Sequence, residues 1–80
     1  MILKPITTEK AVKMIEIDNT LLFTVERKSR KQEIAKEFED TFKIKPVKIR
    51  TFIKGNKKYA FIKLPKNKPA IDIATKLGMI

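Results

Sequence analysis

The chain has 80 residues, 42% hydrophobic, with a formal net charge of +10 and neither cysteine nor histidine. That length makes a single domain over 1–80, and the missing residue types exclude a disulfide framework, a thiolate metal site and a cysteine or histidine nucleophile or base. No apolar run approaches the roughly 18 residues needed to cross a bilayer, and no signal-peptide pattern opens the sequence, so a cytoplasmic location without membrane insertion is expected.

Pro5-Ile6-Thr7-Thr8-Glu9 predicts a helix start, with a threonine cap and an acid in the first turn. Ala11, Val12 and Ile15 follow at helical spacing, giving a helix near 8–15 that ends before a turn signal at Asp18-Asn19. Alternation of Leu21, Phe23 and Val25 with Leu22, Thr24 and Glu26 predicts a strand over 20–26. It is apolar on both sides at Leu21-Leu22-Phe23 and is therefore expected in the middle of a sheet. Ser29 and Gln32 fit a capping box, and Ile34, Ala35, Phe38 and Phe42 form one stripe of an amphipathic helix from about 30 to 42, ending before Pro46.

Val47, Ile49, Thr51 and Ile53 then alternate with Lys48, Arg50, Phe52 and Lys54. After Gly55-Asn56 the pattern resumes, with Lys58, Ala60, Ile62 and Leu64 alternating with Lys57, Tyr59, Phe61 and Lys63. Two alternating runs around a two-residue Gly-Asn turn predict a tight hairpin with fixed register. Lys54 then faces Lys57, Phe52 faces Tyr59, Arg50 faces Phe61, and Lys48 faces Lys63, all on one surface. Ile49, Ile53, Ile62 and Leu64 point the other way, toward the 30–42 helix. Residues 65–69 form a loop, and Ala70, Ile71, Ala74 and Leu77 predict a closing helix stopped by Gly78. If 20–26 pairs with 57–64, the result is an α+β domain: a small antiparallel sheet with helices packed on it, built as a split β-α-β unit with a C-terminal hairpin and a closing helix. Ile2-Leu3 offers a further short edge strand.

Charge is distributed unevenly. Residues 1–42 carry eight basic and eight acidic side chains, whereas 43–68 carry ten basic and no acidic ones. A long stretch of one sign within a folded pattern points to a polyanionic partner; the bland alternative is a solvated lysine-rich surface. Lysines rowed against each other across strands are destabilising alone, and an anion offsets them. Phe52, Tyr59 and Phe61 lie among them, either to stack on unpaired bases or to form a second core layer under the 8–15 helix. Arg27, Lys28, Arg30 and Lys31 make a second basic cluster around Ser29 at a helix start, where free backbone N–H groups add attraction for phosphate. The only glycines are Gly55 and Gly78, so there is no glycine-rich phosphate loop, and an enzyme with a small-molecule substrate or a cofactor is not expected.

Pro5-Ile6-Thr7-Thr8-Glu9-Lys10-Ala11, the strand at 21–25, the Arg27–Lys31 cluster with its helix, Ile49-Arg50-Thr51, Lys57–Leu64 and Ala70–Gly78 together resemble the universal large-subunit ribosomal protein number twenty-three family, in its archaeal-type branch. The resemblance implies a three-layer α/β/α fold and a structural role in the ribosome, binding large-subunit rRNA at the rim of the peptide exit tunnel. It also implies ribosomal protein twenty-nine as a neighbour and a docking surface for signal recognition particle or other nascent-chain factors. Glu9 matches the family's docking position, with first-turn helix electrostatics as its ordinary explanation. The rRNA-binding set expected on the hairpin is Lys48, Arg50, Lys54, Lys57, Lys58, Tyr59 and Lys63; the Arg27, Lys28, Arg30 and Lys31 cluster adds to it, and Lys4, Lys10 and Lys66 flank it. Arg50 replaces the family's usual asparagine, and Gly55-Asn56 stands where bacterial members carry a long loop into the tunnel, which a two-residue turn cannot do. Lys57–Leu64 also resembles the basic-aromatic octapeptide of the RNA-recognition motif, a single-stranded RNA binder. That fold needs a last strand after its second sheet-packing helix, and the sequence holds no such strand after Gly78. A third possibility is a protein-docking module whose basic hairpin meets an acidic partner.

Overall fold

The computed structural model describes residues 4–78. Its elements run β1 (Lys4–Pro5), α1 (Glu9–Asp18), β2 (Thr20–Val25), α2 (Lys31–Phe42), β3 (Lys48–Lys54), β4 (Lys57–Lys63) and α3 (Ala70–Lys76). The four strands form one antiparallel sheet in the order β1-β2-β4-β3, so the chain is an α+β protein. Strands β2 and β3 flank β4, which is the split β-α-β arrangement. The position beside β2 is filled from the N-terminal side of the chain, by Lys4 opposite Thr24 and Pro5 opposite Phe23. Ile2-Leu3 lies outside the described residues.

Local chemistry sets the helix ends. Thr8 Oγ1 accepts from the Ala11 N–H (3.2 Å), as the threonine cap predicts. Helix α1 runs one turn past residue 15, because the stop is Asn19, in the left-handed conformation (φ 50°) with its N–H on Met14 O. An asparagine tolerates that conformation better than most side chains. At α2 the cap lies one residue later than expected. Ser29 is buried and closes a turn, its N–H donating to Glu26 O (3.0 Å), so Arg30 becomes the extended cap residue and Glu33 Oε1 accepts from its N–H (3.2 Å). Helix α2 ends at Lys43, also left-handed (φ 60°), well before Pro46.

The core forms on the sheet face that carries Leu21, Phe23, Val25, Ala60 and Ile62, covered by Ile34 and Phe38 of α2 and by Ala70, Ile73 and Ala74 of α3. Phe23 and Phe38 meet edge to face, centroids 6.1 Å apart. Ile15 brings α1 into the same cluster, while Lys10 and Met14, also on α1, lie against the opposite sheet face beside Leu22 and Phe61. Helical residues thus meet both faces, in the α/β/α sense expected, but unequally. Two core expectations shift: Ile71 is 43% exposed, with Ile73 buried instead, and Ile53 is 54% exposed because it lies near the turn, beyond the buried cluster.

Candidate nucleic-acid interface

The hairpin register is the one the two-residue turn dictates: Lys54 opposite Lys57, Phe52 opposite Tyr59, Arg50 opposite Phe61, Lys48 opposite Lys63. Gly55 has φ +63° and Asn56 no positive φ, so the glycine supplies the left-handed residue that a tight turn needs at its first position. Alternation then places these eight side chains on the face away from α2 and α3. Across β2 the same face continues through Thr24 to Lys4 of β1.

The cations of this outer face differ in surroundings. Lys63 pairs with Asp18 at 3.5 Å, at the C-terminal end of α1, where Asp18 also accepts from Thr20 Oγ1. Lys4, Lys48, Arg50, Lys54 and Lys57 are exposed, and none has an anionic partner among the described residues. Lys10 reaches the same face from α1. The aromatic residues form one array: Phe52 stacks on Tyr59 (centroids 5.0 Å, planes at 21°) and on Phe61 (5.2 Å, 24°). Tyr59 and Phe61 are half-buried and Phe52 is 37% exposed, so the array is neither a covered core layer nor a fully open platform.

The remaining candidates lie elsewhere. Lys58 is on the α2 side of the hairpin, half-buried, and its ammonium donates to the Ser29 carbonyl, fastening the hairpin to the β2–α2 junction. Sequence alternation already placed Lys58 with Ala60 and Ile62; the carbonyl that receives it, 29 residues away, left no sequence signal. Arg27, Lys28, Arg30 and Lys31 are exposed at that junction, Lys66 is exposed in the loop before α3, and Glu9 is exposed in the first turn of α1. Among the described residues no group of three or more carboxylates is arranged to hold a metal ion, and no helix is long and apolar enough to cross a membrane.

Fold and surface together define a small α+β protein with a cationic, aromatic sheet face that its helices leave largely open. The sequence assigns it further: residues 1–75 match the family model for ribosomal protein L23. The chain is 41% identical over 80 residues to large ribosomal subunit protein uL23 of Methanothermobacter thermautotrophicus, covering 99% of this chain and 93% of that one. It is 40% identical over 80 residues to large ribosomal subunit protein uL23 of Puccinia graminis and 41% identical over 81 residues to uL23A of Schizosaccharomyces pombe. The chain spans about half the length of these two fungal relatives (51% and 57%). It belongs to the ribosomal protein L23 family.

Proposed function

We propose that this chain is a structural constituent of the large subunit of the cytoplasmic ribosome, binding large-subunit rRNA through its outer sheet face and the β2–α2 junction. One observation carries the reading. Lys48, Arg50, Lys54 and Lys57 are held by a single register on one surface, with no anion among the described residues to offset them. Closely spaced cations on a rigid sheet suit phosphates fixed in a folded RNA, and their mutual repulsion is relieved on binding. The exposed Arg27–Lys31 cluster extends the same potential around the sheet edge.

Family membership supports a place near the peptide exit tunnel, beside ribosomal protein twenty-nine. There Glu9, exposed at the start of α1, would belong to a docking surface for nascent-chain factors such as signal recognition particle. The short Gly55-Asn56 turn keeps the hairpin tip compact, so the tip acts at the rim and does not reach along the tunnel. This role requires no cofactor, small-molecule substrate or membrane insertion.

Sedimentation with intact large subunits at high salt tests the assignment, and the native chain should remain bound. In equilibrium binding to large-subunit rRNA, Lys54→Ala should lower the log–log salt slope by roughly 0.7–0.9. Charge reversal of Lys48, Arg50, Lys54 and Lys57 together should abolish incorporation; a folded variant that still enters subunits normally would overturn the assignment of this face.

A further inference from the structure

The outer face is more than an array of charges. A recess runs between α1 and the sheet in two halves that share Lys10, Met14 and Phe61. One half, about 340 Å³, is walled by Leu22, Phe52, Tyr59 and Phe61 of the sheet and by Ile6 and Met14 of the N-terminal segment and α1, with Thr8 and Lys54 also lining it. The other, also about 340 Å³, is rimmed by Lys10, Lys48, Arg50 and Lys63. Phosphate binding alone has no use for three stacked rings, and a side-chain layer that served only the core would be covered. Here the most exposed ring, Phe52, is also the one stacked on both others. A largely apolar, ring-lined slot continuous with a cationic pocket matches a planar base joined to a phosphate.

We infer that this recess takes a single unpaired nucleotide of the bound RNA, its base on the Phe52–Tyr59–Phe61 array and its phosphate beside Lys10 and Arg50. The inference rests on the rRNA-binding reading and adds a discrete stacking subsite to a surface otherwise directed at the backbone. The nucleotide is unpaired because a base within a duplex is already stacked on its neighbours and offers the rings no free face. Asp18 is the one carboxylate lining the cationic half, and Lys63 engages it at 3.5 Å. It repels a phosphate from that corner and so directs it toward Arg50. Discrimination among bases is weak, since each presents a π-face.

Two synthetic RNA hairpins of equal length serve as probes, one fully paired and one carrying a single unpaired 2-aminopurine, with large-subunit rRNA alongside. The full chain should bind the unpaired probe more tightly and quench its fluorescence. Phe52→Leu should weaken that binding about tenfold or more and remove the quench. It should leave the salt slope and the affinity for the paired hairpin unchanged. Lys57→Ala, which lies outside both halves of the recess and keeps the rings, should give the opposite signature: a lower slope with the quench retained. Thermal melting checks that both variants fold. If Phe52→Leu binds and quenches like the parent, or if the two hairpins bind alike without quenching, the subsite is refuted while rRNA binding stands. If the chain binds neither the hairpins nor rRNA, the parent reading falls with it.

Discussion

The two faces of the β3–β4 hairpin share one backbone and one register, yet they meet opposite fates. On the α2 side, Ala60 and Ile62 are fully buried and Ile49 packs against the same cluster, so the chain supplies its own partners. On the outer side the register opposes lysine to lysine at Lys54 and Lys57 and again at Lys48 and Lys63. Only Lys63 is answered from within the described residues, by Asp18. Coverage also fades toward the turn, where Ile53 is exposed even on the inner side. The difference separates the face that folds the molecule from the face proposed above to meet RNA.

Truncation of a ring on each face gives the largest test of that division. Phe38 is fully buried against Phe23 and Phe42, so Phe38→Ala should cost about 3–5 kcal/mol in urea denaturation. Phe52→Ala, losing ring contacts at an open surface, should cost only about 1 kcal/mol. Similar losses at the two positions would erase the distinction between a folding face and a binding face. Next in size is Asn19, which closes the end of the molecule opposite the hairpin turn. Its Nδ2 donates to Leu64 O (3.1 Å), Pro65 O (3.0 Å) and Lys68 O (3.2 Å), and its Oδ1 accepts from the Ala70 N–H (2.6 Å). Two amide protons serve three carbonyls, so at least one bond is shared. Asn19→Ala removes this set and strains a left-handed residue, with an expected loss of about 2–3 kcal/mol. Hydrogen exchange should show faster opening at α3 first, and unchanged α3 protection would mean that the loop is held by other contacts.

How legible each feature was follows from how local its cause is. The hairpin register could be read from the sequence because a two-residue turn leaves no freedom, and Gly55 marks its first position. The α3 stripe misled at Ile71: with Ala70, Ile71, Ile73 and Ala74 all apolar, a seven-residue helix offers too wide an arc to fix its buried side, and Ile73 took the core position. The cap of α2 moved to Arg30 because Ser29 was already engaged in the preceding turn. Asn19 was visible only as a turn signal, since its partners lie 45 to 51 residues away. The candidate site divides the same way. The cations and rings of one hairpin face follow from alternation, whereas the recess depends on α1 placing Lys10 and Met14 over Phe61, a tertiary fact with no local signature.

The smallest expected effect is the most pointed, because its sign is unusual. Lys54 and Lys57 sit directly opposite each other beside the turn, both exposed, and neither has an anionic partner among the described residues. Lys54→Glu converts a repulsive cross-strand pair into an attractive one, so the free protein should become more stable, by at most about 1 kcal/mol. Because the pair is solvent-exposed, the gain in urea midpoint should shrink at about 1 M salt, where the screening length falls to roughly 3 Å. Affinity for rRNA should fall in the same variant. A substitution that steadies the fold while weakening binding is what a surface kept for phosphate requires. Were Lys54→Glu to destabilise the free chain, the lysine would have a structural role that the geometry does not show, and the division between the two faces would no longer hold at the turn.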